Sequence, residues 1–292
     1  MRVDVSVKKS ARIRVQIGVS IVLLCMASGV LGQIPEERTA FRVCQDPNNL
    51  PFSNSKGEGY EDKIAQLFAR DLGLPITYFF FPQRMAFIRN TLRYKLPGAD
   101  YPCDIVMSVP KGFDQVSATK PYYRSAYALV IPKGKGMDDV RSPEEFLALP
   151  PARLHSLRIG VYDRSPASDW LVAHNLVDQG VPYKILNADP DQYPGQIIEN
   201  DLVQGKIDVA IVWGPIAGFF SHRVTAAELV VIPLKSEPGV KLDFEIAMGV
   251  RYGEPAWKKR IEALIEKNQV QIHTILADYG VPQLLETGAA PQ

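Results

Sequence analysis

Histidine and cysteine are the first side chains to weigh for metal or nucleophilic chemistry in this 292-residue sequence, and their spacing supports neither. His155, His174, His222 and His273 form no i, i+4 pair and have no neighbouring cysteine, so no metal site is expected. No G-x-S-x-G elbow, phosphate loop or dinucleotide fingerprint occurs: Gly134-Lys135-Gly136 lacks the preceding glycine and the following Ser/Thr that phosphate cradling needs. Asp104 and Asp208 each open a buried strand in equivalent places, where a cap or a paired charge is the ordinary role. A lyase or hydrolase would have to use Glu61, Asp46 and Arg124.

Residues at the ends of strands say more. Asp46, Asn48, Asn49 and Phe52 follow the first strand, and Gln83 and Arg84 follow the second. Pro110 lies past the third, beside the Tyr122-Tyr123-Arg124 corner. Ser165, Ser168 and Trp213 hold the corresponding places in the second half of the chain. Aromatic rings, amides and two arginines converging on a cleft suit binding better than bond breaking. For each of them, packing is the competing role.

The elements that must position these loops follow from periodicity. Residues 41–44 read as a short strand entering the Asp46-Pro47-Asn48-Asn49 turn, where Pro fixes φ and Asn tolerates left-handed backbone. Ile64, Leu67, Phe68 and Leu72 recur at helical spacing from Tyr60, and Gly73 stands where the helix should stop. Residues 76–81 read as a strand, and Met85, Ile88 and Leu92 as a helical stripe. Residues 103–107 and 125–131 read as strands, with 132–136 (PKGKG) as a connector.

A second series begins with a strand at 158–161 and a helix opened by Pro166 and carrying 171–177. Strand 183–186, helix 197–203 and strand 207–212 complete it. A strand at 244–250 and one long helix from Trp257 close the chain. Strand and helix alternate twice, which predicts an α/β protein of two lobes, each a mostly parallel sheet flanked by helices. Lobe one is expected at 33–132 plus 240–292, and lobe two at 133–239. The cleft between them lies at the strands' carboxyl ends, where ligands of open α/β sheets bind.

The N-terminus sets the compartment. Arg2, Lys8, Lys9, Arg12 and Arg14 precede an apolar run over residues 17–31, the layout of a secretory signal, with cleavage expected between Gly32 and Gln33. A membrane anchor is the competing reading, but Gln16, Ser20 and Ser28 interrupt the run and it is short for a span. No anchor is therefore expected after cleavage. Removing residues 1–32 leaves 28 basic and 31 acidic side chains, a net charge of −3, so nucleic acid is not an expected partner. Cys44 and Cys103 remain in an oxidising compartment, which favours a disulfide closing a loop of about 60 residues. Two buried free thiols are the alternative, because parallel neighbouring strands can hold the two residues too far apart.

From Phe41 to about Leu285 the chain resembles the periplasmic solute-binding superfamily of the second structural type, which includes the amino-acid receptors of ABC transporters. The segments that carry the resemblance are Gly59-Tyr60-Glu61 to Leu72-Gly73, Cys103-Asp104-Ile105-Val106-Met107, Pro121-Tyr122-Tyr123 and Gly205-Lys206-Ile207-Asp208-Val209-Ala210. Four blocks narrow it: "RVCQDPNNLPFSNSKGEGYEDKIAQLFARDLG", "FPQRMAFIRNTL", "CDIVMSVPKGFDQVSATKPYYRSAYALV" and "VAIVWGPIAGFF". They resemble the branch encoded beside quinoprotein alcohol dehydrogenases, including the J protein of methanol-oxidation operons.

That resemblance implies a non-enzymatic periplasmic accessory, without cofactor, whose partner is a PQQ-dependent methanol or alcohol dehydrogenase. Amino-acid receptors hold the ligand carboxylate with an Arg before the Pro-Tyr corner and the ammonium with an Asp after the lobe-two strand. Here those places read Gly112-Phe113-Asp114-Gln115-Val116-Ser117 and Trp213, so both charged anchors are missing. The alternative it implies is a transport receptor for a small neutral or aromatic ligand held in the cleft.

Overall fold

In the computed structural model, residues 38–83, 86–184 and 191–284 are described. The expected signal segment 1–32, Arg84 and Met85 of the expected helical stripe lie outside them. Strand β1 (Phe41–Gln45) runs into the turn and a two-residue hairpin, Asn48–Asn49 with Ser53–Asn54. Helix α1 (Tyr60–Leu72) follows, because Ile64, Leu67 and Phe68 bury one face while Gly73 at φ +67° ends it in the left-handed region. Burying each such side chain is worth about 1.5–3 kcal/mol.

The first half continues with β2 (Ile76–Phe80) and β3 (Ile105–Pro110). Strand β4 (Tyr123–Pro132) leads to the second half: β5 (Ile159–Tyr162), α2 (Pro166–Ala173) and β6 (Gly180–Tyr183). β7 (Val209–Trp213), α3 (Gly214–Arg223) and β8 (Leu229–Pro233) come next. β9 (Asp243–Val250), α4 (Pro255–Lys267) and α5 (Gln269–Asp278) return to the first half.

The strands lie in the order β2-β1-β3-β9-β4-β7-β5-β6, with β8 also on β4. β1 pairs parallel with β2 and β3, and β5 pairs parallel with β6 and β7. β9 is antiparallel to β3 and β4, as β7 and β8 are to β4. β4 joins the halves by changing partners along its length: residues 123–126 pair with β9, and residues 128–132 with β8. The passage between halves is thus made inside a strand, ahead of the PKGKG turn. The result is the expected two-lobed α/β architecture.

Each half is packed on both faces. Phe41, Ile64, Phe68, Trp257 and Ile261 fill the side under α1, α4 and α5. Leu129, Phe146, Ile159 and Trp170 fill one side of the second half, and Ile197, Ala210, Ala217 and Phe220 the other. Cys44 and Cys103 form a disulfide, Cα atoms 5.3 Å apart, inside a smaller cluster with Phe87 and Leu92. Asp104 sits beside it with no exposure, its carboxylate 2.6 Å from Arg42 Nε and 3.4 Å from Arg38 Nε and bonded also to Arg251. Asp208 is held by Arg158 at 3.0 Å, so both strand-opening acids are paired charges.

The structure departs from the periodicity in several places. The stripe through Ile88 and Leu92 is a single turn, Phe87–Asn90: Ala86 before it has φ +66°, and Thr91 Oγ1 donates to Phe87 O at its end. The helix after Pro166 stops at Ala173, ahead of Val177. Of the strand expected at 183–186, Tyr183 ends a strand that begins at Gly180, and residues 185–186 lie outside the described residues. The long C-terminal helix breaks at Asn268, whose Nδ2 donates to Leu264 O and to Asp71. Helix 197–202 is wound wide, with Val203 N reaching back five residues to Ile198 O.

Candidate functional site

The close approach of Gly59 to the rim loop begins the site. Backbone amides of Tyr60 and Glu61 donate to Pro51 O and Phe52 O at 2.9 and 3.0 Å, so the loop lies on the first turn of α1. A Cβ at Gly59 would stand 2.0 Å from Phe52 O, which only glycine avoids. Gly59→Ala is expected to cost about 1–3 kcal/mol by forced displacement of this loop, read as a shift in denaturation midpoint.

Asp46 ties the loop together. Its carboxylate accepts from Asn48 N at 2.8 Å and from Gln83 N, while Asn49 Nδ2 donates to Gln83 Oε1 at 2.7 Å. These groups form one wall of a cleft of about 900 Å³. Asp46, Asn48, Asn49, Phe52, Gln83, Pro110, Tyr123 and Trp213 all line it, as the strand-end reading places them.

Four expected residues are turned elsewhere. Tyr122 is in the core, its hydroxyl donating to Met107 O and sharing a bond with Ser108 Oγ, both 3.0 Å. Arg124 Nε donates to Asp243 Oδ1 at 3.0 Å across the β4–β9 pair, so its charge is used within the fold. Ser165 and Ser168 both donate to Tyr162 O, at 2.6 and 2.9 Å, which fixes the entry to α2. Their hydroxyls stabilise a helix start; Pro166 between them reaches the cleft. Arg124 therefore does not join Asp46 and Glu61 as a catalytic set.

Much of the opposite wall was not legible as a site. Tyr127, Tyr162, Tyr183 and Tyr193 line it, joined by Asp201, while Ser108 and Phe244 line the cleft from strands of the first half. Tyr127 and Phe244 meet the Trp213 ring at 5.5 and 5.8 Å between centroids. Tyr162 OH donates to Pro194 O, Tyr183 OH to Asp201 and Tyr193 OH to Glu199, each at 2.7 Å, so these lining rings are anchored at their polar ends. Burial pushes the Tyr127 hydroxyl up to about 12, which keeps it neutral. Lys184 is the cation on the lining, and no arginine stands on it among the described residues.

Behind the floor lies Glu61, buried next to Tyr60, Tyr122 and Tyr123; Tyr60 and Tyr123 share a 2.8 Å bond. Burial raises its carboxyl to about 7, assisted by the charges of Asp62 and Asp46 and opposed by a hydrogen bond from Ser108. In the unfolded chain the group ionises near 4.5, so from about pH 4.5 to 7 the folded state holds a proton that the unfolded state has lost. Stability carried by that proton is complete below pH 4.5 and falls as pH rises through 7, by about 3 kcal/mol at most. Glu61→Gln is expected to flatten this window and to be the more stable protein at pH 8. Urea melts of both forms at pH 4.5 and 8 read the difference.

No group of three or more His, Cys, Asp or Glu able to hold a metal occurs among the described residues, nor a helix long and apolar enough to cross a membrane.

The fold and cleft define a two-lobed binding protein of the type II solute-binding class. No protein-family model matches the chain, but XoxJ from Methylobacterium extorquens AM1, solved as a periplasmic binding protein, does. It is 35% identical with TM-score 0.68, over 85% of this chain and 100% of that one. This chain belongs to the family of XoxJ and MoxJ. Protein MoxJ of Paracoccus denitrificans is 24% identical over 281 residues, covering 91% of this chain and 96% of that protein. MxaJ from Methlophaga aminisulfidivorans MPT, at 23% identity, shares the fold with TM-score 0.68 over 84% of this chain and 100% of that one.

Proposed function

We propose that this protein is a non-enzymatic periplasmic accessory that binds a PQQ-dependent methanol or alcohol dehydrogenase and assists its maturation or activation. Residues 1–32 direct export in this reading and are then removed. The observation that carries it is the cleft's charge pattern: where amino-acid receptors place their Arg and Asp anchors this chain has the segment Gly112 to Ser117, without an arginine, and Trp213, and aromatic rings line the cleft. Together with the family resemblance, this favours an accessory that keeps the binding fold while losing amino-acid recognition. Deletion of the gene is expected to lower dehydrogenase activity in cell extracts, and the two proteins to co-purify at micromolar concentration. Normal activity together with no complex would end the reading.

The aromatic volume supports a second reading, a transport receptor for a small neutral or aromatic ligand. Its test is a thermal-shift screen of alcohols, aldehydes, quinones and amino acids. A true ligand at 100 times its Kd adds about 2.7 kcal/mol of stability, and no shift with any of them counts against it.

A further inference from the structure

Residues 93–100 are eight consecutive exposed positions between two buried ones, Leu92 and Cys103. Both feet of this loop are held by one side chain: Arg251 Nη1 donates to Leu92 O at 3.2 Å and to Cys103 O at 2.6 Å. The same guanidinium lies 4.0 Å from the centre of the Tyr101 ring, and Cys103 is further pinned to Cys44. Within the loop, Ala99 N donates to Leu96 O at 3.1 Å across Pro97-Gly98, with Gly98 at φ +75°, the pattern of a type II turn. Tyr94 N donates to Thr91 O at 3.0 Å. The loop is therefore ordered without being buried.

Its outward side chains are unlike those of a solvated turn. Tyr94 and Leu96 are 40% and 55% exposed. Arg89, Arg93 and Lys95 stand beside them and form no ion pair with any described residue, Lys95 resting 4.9 Å over Tyr101. Single exposed apolar residues need no explanation. Two on one clamped turn, among three cations and a single exposed acid, Asp100, make a local patch of net charge +2 on a chain that is net acidic without residues 1–32, and its complement is an acidic surface with an apolar centre. A loop ordered beforehand also loses little conformational freedom on docking.

We propose that loop 93–100 is the surface by which this protein docks on its protein partner, through an acidic and partly apolar face of the dehydrogenase named above. The proposal rests on that reading and adds where contact is made: on the loop, outside the interlobe cleft.

The test is biolayer interferometry of the exported protein on the purified dehydrogenase at 50 and 200 mM salt. The wild type should bind, more weakly at high salt. Arg93→Glu with Lys95→Glu should weaken binding at least tenfold and reduce the salt dependence, and Leu96→Ser should weaken it severalfold at both salt concentrations. Each variant is first shown to melt as the wild type does, since none of these side chains takes part in the Arg251 clamp. Wild-type binding that both variants retain overturns the loop assignment alone. No wild-type binding overturns both it and the accessory reading. Loop-dependent self-association in sedimentation, or loop-dependent binding to anionic vesicles, without binding to the dehydrogenase, also overturns it in favour of those occupants.

Discussion

Asp104→Ala is expected to lower the unfolding free energy by about 3–5 kcal/mol, the cost of removing the buried carboxylate of an ion network and leaving the partly exposed Glu254 alone to answer Arg251 and Arg38. Asp104 has no exposed side chain, and Arg251, its partner, is only 7% exposed. Arg42 and Arg38 complete the cluster, so one carboxylate serves three guanidiniums, and its removal leaves the most buried of them with Leu92 O, Cys103 O and the single carboxylate of Glu254. Asp208→Ala is the internal control. That acid occupies the matching place in the second half, but Arg158 is 50% exposed and water can take over for the lost carboxylate. Although burial works to raise the Asp208 carboxyl, its bonds from Arg158 outweigh this and hold it below the usual range. A loss below about 1 kcal/mol is expected there. Guanidinium melts of the two variants measure the contrast, and equal losses would show that burial does not set the cost.

The two acids look alike in sequence and differ in depth, which marks what the sequence was able to express. Strand ends were legible, because turn residues follow apolar runs: Asp46, Asn48, Phe52, Gln83 and Trp213 were placed on the cleft by that rule alone. The disulfide was legible from compartment and count. What a side chain does at the strand end was less so. Arg124, Ser165 and Ser168 stand at the right elements, yet each is turned to a partner elsewhere in the chain or to its own helix start, and period alone carries no such information.

Tyr127, Tyr162 and Tyr183 were missed for the opposite reason. They are the final or outward rings of strands that read as core, and only the pairing of β4 with β7 and of β5 with β6 brings them to one wall. Helix α3 was hidden too, since Gly214-Pro215 reads as a stop although Pro is well suited to the first turn of a helix. Where local signals and tertiary context agree, as at α1 and Gly73, the expected bounds hold.

The second large effect is expected at the disulfide. Cys44→Ala with Cys103→Ala should lower stability by about 4 kcal/mol, because the bridge joins residues 59 apart and its loss returns that loop's entropy to the unfolded chain. Both cysteines must be replaced together, so that no lone thiol confuses the measurement. Reduced wild type should melt with the double variant, and a difference under about 1 kcal/mol would place the pair among dispensable contacts. The Asp104 and disulfide losses should not add. Cys103 and Asp104 are neighbours, and Arg251 holds the carbonyl of one and the carboxylate of the other, so each change loosens the same segment. A simple sum, about 7–9 kcal/mol, would approach the whole stability of an ordinary domain. A triple variant that still folds cooperatively, with less than the summed loss, is the expected sign of that coupling.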